Sequence, residues 1–255
     1  MLITDDFLKH NSQFALIAGP CSLESEEQLG QFIDQSSGIE TVRAGLFKMR
    51  TNPKSFQGLG ADGVQIISKL KEQSNFEFIT EVTDPRQLEL IDPIVDIYQV
   101  GSRNMYNYEL LRELNRLGKP VLFKRAFSAT VSEWINACGY MPDLGEEKII
   151  LCERGIRTFE PSTRNTLDIN SVIYIKQNYN FKVVVDPSHA CGNVDMIKQL
   201  CFVSMAAGAD GLLIESHPNP AEALSDKDQQ ITPTHLNQIR SELIKLAPFF
   251  DKQII

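Results

Sequence analysis

His189, Glu215 and Asp226 are metal-ligating residue types that stand just beyond apolar runs toward the C-terminus. In FKVVVDPSHACG, Phe181 and the valines at 183–185 run into Asp186-Pro187-Ser188-His189. That is the pattern of a buried strand stopping on polar, turn-forming residues. GADGLLIESHPNPAEALSD repeats it: the apolar residues 212–214 end on Glu215, Ser216 and His217, with Asp226 a short loop later. In a parallel α/β protein the C-terminal strand ends share one face, so an imidazole and two carboxylates converge there. The first apolar run, in AGPCSLES, ends on Cys21 and adds a thiol to the set. A lone cysteine after a strand is more often a small buried residue, but the shared face makes Cys21, His189, Glu215 and Asp226 a candidate metal site.

Basic residues follow the same apolar runs. Arg43 and then Lys48-Met49-Arg50-Thr51 follow the second run, Ser102-Arg103-Asn104 the fourth, Lys124-Arg125 the fifth and Arg154-Gly155-Ile156-Arg157 the sixth; Glu81 closes the third. The formal net charge is −8, so this is no footprint for nucleic acid. A local concentration of like charge on an acidic protein is costly unless it meets anions. Arg with Lys is the usual pairing for phosphate and carboxylate, and one or two phosphorylated substrates are implied.

The elements that must position these residues alternate along the chain. Expected strands cover 14–19, 41–47, 76–82, 96–101, 120–125, 148–153, 181–186 and 211–215; expected helices include 26–35, 63–73, 108–117, 131–137, 171–177, 194–207 and 234–248. Repeated strand-then-helix units within 255 residues predict a single α/β domain over 1–255, a (β/α)8 TIM barrel, ahead of a doubly wound open sheet. The only long irregular stretch is 48–60, a candidate functional loop. Five cysteines without paired spacing argue against a disulfide framework, and Cys138, Cys152 and Cys201 read as core residues. Without a membrane-length apolar run or a signal-peptide pattern, the expected location is the cytoplasm, away from the membrane. There is no Walker loop, no GxGxxG after the first strand and no GxSxG elbow. His10 and His235 have no companions, whereas His217 is expected to fix its own loop through a hydrogen bond.

These residues carry a resemblance. Through AGPCSLES, FKMRTNPKSFQGLG, QVGSRNM, VLFKRAFSAT, ILCERGIRTFEPSTRNTLD, VVVDPSHACG and GADGLLIESHPNPAEALSD, nearly the whole chain resembles 3-deoxy-D-arabino-heptulosonate 7-phosphate synthases of the type I beta class. The resemblance implies a metal-dependent (β/α)8 barrel that condenses phosphoenolpyruvate with erythrose 4-phosphate at the head of the shikimate pathway. It places the metal ligands on Cys21, His189, Glu215 and Asp226, the phosphoenolpyruvate-binding cations on Arg43, Lys48, Arg103, Lys124 and Arg154, and the aldose-phosphate contacts on Arg50 and Thr51. Glu81 matches a water-organising carboxylate, so Lys48, Glu81, Lys124 and His189 form the expected catalytic group. Thiolate, imidazole and carboxylates suit Mn²⁺, Fe²⁺, Co²⁺ or Zn²⁺. A homo-oligomer, dimer or tetramer, is expected. The chain departs from the family's usual pattern at Ala44 (glycine), Met49 (proline), Asn52 (serine) and Cys191 (threonine).

Two rival functions differ in class or substrate. The 3-deoxy-D-manno-octulosonate 8-phosphate synthases run the same chemistry on arabinose 5-phosphate, but their loop reads KANR where this chain has KMRTNP. A non-catalytic binding paralogue predicts a broken site, and here the matched ligands and cations are all present. Two further expectations concern control. Cys191, two positions after His189, is a candidate to pair with Cys21 when metal is absent. Only about a dozen residues precede the first strand, far below the ~50 of a folded domain, so built-in feedback inhibition is not expected.

Overall fold

The computed structural model describes residues 3, 7–49, 52 and 54–255. Parallel strands β1 (Gln13–Gly19), β2 (Thr41–Arg43), β3 (Glu77–Val82), β4 (Ile97–Val100), β5 (Val121–Lys124), β6 (Ile149–Glu153), β7 (Lys182–Val185) and β8 (Gly211–Glu215) pair in chain order. β1 pairs with both β2 and β8, which closes the sheet on itself, and a short β9 (Gln253–Ile254) adds to the start of β1. Helices α1 (Glu26–Gln35), α2 (Ala61–Gln73), α3 (Leu88–Ile91), α4 (Tyr108–Leu117), α5 (Val131–Cys138), α6 (Gly145–Lys148), α7 (Ile169–Asn178), α8 (Pro187–Cys191), α9 (Val194–Ala206) and α10 (Pro233–Leu246) lie in the connections. The fold is the (β/α)8 barrel that the alternation predicts.

Strand alternation divides the apolar residues into two cores. One set, Ala15, Ile17, Ile79, Ile97, Leu122, Ile150, Cys152, Val184 and Leu213, fills the barrel interior together with Ile3 and Phe7. The other, including Phe14, Leu16, Val42, Phe78, Val121, Val183 and Leu212, packs with the apolar faces of the helices. Because both faces are covered, the strands carry near-continuous apolar runs. Truncating a fully buried interior residue such as Leu122 to alanine should cost about 2–5 kcal/mol.

The structure differs from expectation in two places that matter for the site. The second strand ends at Arg43 rather than at 47. Beyond it the chain turns over β3: the N–H of Ala44 donates to the Ile79 carbonyl (3.1 Å), that of Leu46 donates to the Thr80 hydroxyl (3.0 Å), and Gly45 bridges to Ser22. A Cβ at Gly45 would come within 2.9 Å of Lys48 Cδ, so the small residue lets Lys48 fold back over Cys21. The second difference follows β7, where the turn-forming residues continue into a short helix over 187–191. Asp186 caps it through the His189 N–H, Pro187 occupies the first position and Gly192 closes it in the left-handed region. This turn aims His189 into the barrel mouth.

Candidate metal centre and active site

Four donors converge at one end of the barrel. One ligand atom from each of Cys21, His189, Glu215 and Asp226 lies within 4.8 Å of the others. Cys21 follows β1, Glu215 ends β8, His189 sits on α8, and Asp226 is held in the left-handed region (φ 46°) on the loop before α10. That backbone is strained for a residue with a Cβ. Cross-loop bonds hold it: the Cys21 N–H donates to Gln230 Oε1 (3.0 Å), the hydroxyls of Ser22 and Ser225 share a 2.6 Å bond, and the Leu224 N–H donates to Glu24 Oε1 (2.9 Å). These ties bring Asp226 Oδ2 to 3.1 Å from Cys21 Sγ.

Burial and charge set the protonation states. Burial, and then the neighbouring Glu215, push the Cys21 thiol up to about 12. Burial lowers His189, which keeps the imidazole neutral despite Asp186 and Glu215 beside it. Burial works to raise Glu215, but His189 and Arg43 outweigh it and bring the carboxyl down to about 2. Asp226 is likewise held below its usual range, because His189, the Cys21 hydrogen bond and Arg164 overcome burial. The cluster thus holds two carboxylates, a neutral imidazole and a protonated thiol that must lose its proton on coordination. Its donor chemistry fits a divalent cation.

Next to the cluster lies a cavity whose lining includes Arg43, Lys48, Glu81, Arg103, Lys124 and Arg154. Lys48 Nζ donates to the Cys21 carbonyl and approaches its sulfur, each at 3.0 Å. Arg43 donates to Glu215 Oε1 (2.7 Å) and to the Cys21 carbonyl (3.2 Å), while its buried Nε finds no partner among the described residues. Arg103 and Arg154 stack on the Phe127 ring at 5.5 and 4.8 Å. Glu81 reaches the cavity across Gly101, where a Cβ would lie 2.0 Å from Glu81 Oε1, and Gln99 Nε2 approaches its other oxygen at 3.5 Å. Arg50 and Thr51, expected to hold the second phosphate, lie outside the described residues, although Met49 before them lines the cavity.

Arg125 does not join this face. Its guanidinium turns into the wall, donating to Glu153 (2.9 Å), Asp168 (2.8 Å) and the Ala129 carbonyl (2.9 Å). A long cation beside two carboxylates in the barrel wall is neutralised there and does not need a ligand anion. Arg157 is exposed, with its guanidinium 4.8 Å from the Phe127 ring. Cys191 is directed elsewhere too: its thiol donates to the carbonyls of Pro187 (3.1 Å) and Asn193 (3.2 Å), and its side chain packs in the outer core. His217 Nδ1 accepts the Asn219 N–H (2.9 Å), the loop-fixing bond expected of it.

Sequence reasoning passed over the residues that orient the donors. Asp186, fully buried, accepts from His189 Nδ1 (2.7 Å) and Lys124 Nζ (2.6 Å). Gln229 donates to Glu215 Oε2 (2.5 Å), and Ser188 Oγ accepts the Glu215 N–H (3.0 Å). Arg164, in the cavity lining, donates to Asp226 Oδ1 (3.2 Å) and to Gln229 Oε1 (2.5 Å). The Asp-Pro pair three positions before His189 is a helix-start signal and could have revealed Asp186. No local signal marks Gln229, whose partners are remote in sequence.

Comparison with known proteins agrees with this geometry. Residues 6–250 match the model of the DAHP synthetase I family. A Thermotoga maritima protein named phospho-2-dehydro-3-deoxyheptonate aldolase is 40% identical over 240 residues, which is 93% of this chain and 71% of that protein. A Desulfotalea psychrophila protein named 2-dehydro-3-deoxyphosphooctonate aldolase is 29% identical, with 91% of this chain and 89% of its own length covered. Among solved structures, DAHP synthase from Thermotoga maritima superposes with a TM-score of 0.91 at 38% identity, covering 96% of this chain and 72% of that one. A truncated form of 3-deoxy-D-arabino-heptulosonate 7-phosphate synthase from Thermotoga maritima gives 0.87 at 35% identity, covering 96% and 90%. With the match running through every barrel strand and both halves of the donor cluster, the chain belongs to the DAHP synthetase I family.

Proposed function

We propose that this chain condenses phosphoenolpyruvate with erythrose 4-phosphate, giving 3-deoxy-D-arabino-heptulosonate 7-phosphate and inorganic phosphate at the entry to the shikimate pathway. The observation that carries the reading is the adjacency of the four-donor cluster to a cavity lined by Arg43, Lys48, Arg103, Lys124 and Arg154. A divalent ion of manganese, iron, cobalt or zinc, held by Cys21, His189, Glu215 and Asp226, would supply Lewis acidity toward the aldehyde oxygen. Arg103, Lys124 and Arg154 hold the phosphate of phosphoenolpyruvate, and Arg43 and Lys48 its carboxylate, with the unpartnered Arg43 Nε available to that anion. Fixed in place before reaction, these cations stabilise the charge that develops without reorganising. Arg50 and Thr51 anchor the aldose phosphate so that its aldehyde carbon meets carbon 3 of phosphoenolpyruvate. Once that carbon–carbon bond forms, Glu81 takes a proton from the water adding at carbon 2, and cleavage of the carbon–oxygen bond expels phosphate.

Among the described residues no helix is long and apolar enough to cross a membrane. All five cysteines are free thiols, which supports a reducing compartment, the cytoplasm. Assembly into a dimer or tetramer is part of the proposal, with the exposed Phe159 and Phe249 available as contacts. The deciding experiment is phosphate release from phosphoenolpyruvate with erythrose 4-phosphate or arabinose 5-phosphate, each with and without chelator. Metal-dependent release with erythrose 4-phosphate is expected. Faster turnover of arabinose 5-phosphate would move the chain to the eight-carbon synthases, and release with neither would overturn the reaction.

A further inference from the structure

We infer that Asp186 is a positioning residue that couples metal occupancy to phosphoenolpyruvate affinity, because one of its carboxylate oxygens is shared between His189 and Lys124. The inference rests on the reaction proposed above. Asp186 lies at the end of β7, sealed from solvent. Its Oδ1 accepts the backbone N–H of His189 at 2.9 Å. Its Oδ2 accepts from both His189 Nδ1 at 2.7 Å and Lys124 Nζ at 2.6 Å.

This arrangement links two jobs. Donation from Nδ1 fixes the tautomer that leaves the Nε2 lone pair free, and Nε2 stands 3.5 Å from Glu215 Oε1 inside the donor cluster. Lys124 stands in the cavity lining, where the substrate anion is to be held. A cation drawing on Nε2 makes the Nδ1–H a stronger donor, so His189 takes a larger share of Oδ2. Lys124 is then less satisfied by Asp186 and offers more of its charge to an anion in the cavity. The converse follows by linkage: an anion on Lys124 leaves Oδ2 to His189, raises the basicity of the imidazole and tightens metal binding. Direct attraction between a metal ion and an anionic substrate also favours joint binding, but that component does not need Asp186.

The test is calorimetric titration of phosphoenolpyruvate into chelator-treated and zinc-loaded protein, for the wild type and for Asp186→Asn, with circular dichroism and thermal melting to confirm folding. Zinc should tighten phosphoenolpyruvate binding in the wild type, and the ratio of the two dissociation constants should shrink by about fivefold or more in Asp186→Asn. If Asp186→Asn does not fold, Asp186→Ser, which removes the shared oxygen and leaves Lys124 in the cavity, should shrink the ratio likewise. An unchanged ratio in a folded variant, or a wild-type ratio of one, overturns the coupling while leaving the reaction intact. Absence of any phosphoenolpyruvate binding to the wild type would instead overturn the reaction on which the inference stands.

Discussion

Arg43 Nη2 lies 2.7 Å from Oε1 of Glu215, and both side chains are sealed inside the barrel mouth. The pair joins the end of β2 to the end of β8, and the same Glu215 oxygen is 3.5 Å from His189 Nε2. Removing one member of such a pair leaves an uncompensated buried charge, which typically costs about 3–5 kcal/mol. Arg43→Met should therefore lower unfolding stability by about that amount in urea titrations, besides weakening substrate binding. An unchanged denaturation midpoint would contradict the pairing.

The same pair predicts an acid response. The Glu215 carboxyl is lowered from 4.5 to about 2, with burial opposed by His189 and Arg43. A depressed folded value means stability that is fully present above the unfolded value and is lost as pH falls from about 4.5 toward 2. Stability of Glu215→Gln should depend less on pH across that window than the wild type. Parallel curves for the two proteins, measured by thermal melting, would rule this out.

Metal removal should abolish turnover and leave the barrel folded, because the donors sit at the mouth while the interior core lies beneath them. Cys21→Ala and His189→Ala should behave alike in activity, with far-UV circular dichroism unchanged. A folded variant that kept wild-type turnover after dialysis against chelator would sink the metal requirement.

Much of this site was legible because the barrel puts every strand's C-terminal end on one face. Cys21, Arg43, Glu81, Lys124, Arg154 and Glu215 stand at or next to strand ends, so a correct strand count located them. The turn after Arg43 and the helix at 187–191 were less legible. The first is set by contacts with remote segments, Thr80 and Ser22, whereas the second carried local signals, the Asp186 cap, Pro187 and Gly192, that mark only one short turn. Arg125 shows the limit most plainly: it neighbours Lys124 in sequence, yet strand alternation turns it into the wall toward Glu153 and Asp168. Type and position predicted a cation on the face; only the partners reveal which way it points.

Phe127 supports two of the cations proposed to hold phosphate, with Arg154 at 4.8 Å and Arg103 at 5.5 Å from its ring. Each such stack contributes about 0.5–1 kcal/mol where exposed and about 2 where desolvated, and it also limits the rotamers the guanidinium can adopt. Phe127→Ala should raise KM for phosphoenolpyruvate by about thirtyfold, on the order of one desolvated stack, with a smaller change in kcat. A fall in kcat with KM unchanged would show that the ring acts at the reacting centre and not in holding the arginines.

Metal uptake should depend on pH through a single proton, that of Cys21. Burial and Glu215 raise this thiol to about 12, whereas Glu215 lies near 2, Asp226 is lowered further and burial lowers His189. Near neutral pH the other three donors are already deprotonated, and only the sulfur must lose a proton when it coordinates. Affinity therefore rises with pH: below the thiol value each unit of pH should change the dissociation constant by about tenfold, or about 1.4 kcal/mol. Competition titrations of zinc against a chromophoric chelator between pH 6.5 and 8.5 measure this slope directly. Cys21→Ser should bind more weakly and lose the slope, because its hydroxyl has no proton to yield in that range. A wild-type affinity independent of pH over the same interval would mean that sulfur is not a ligand.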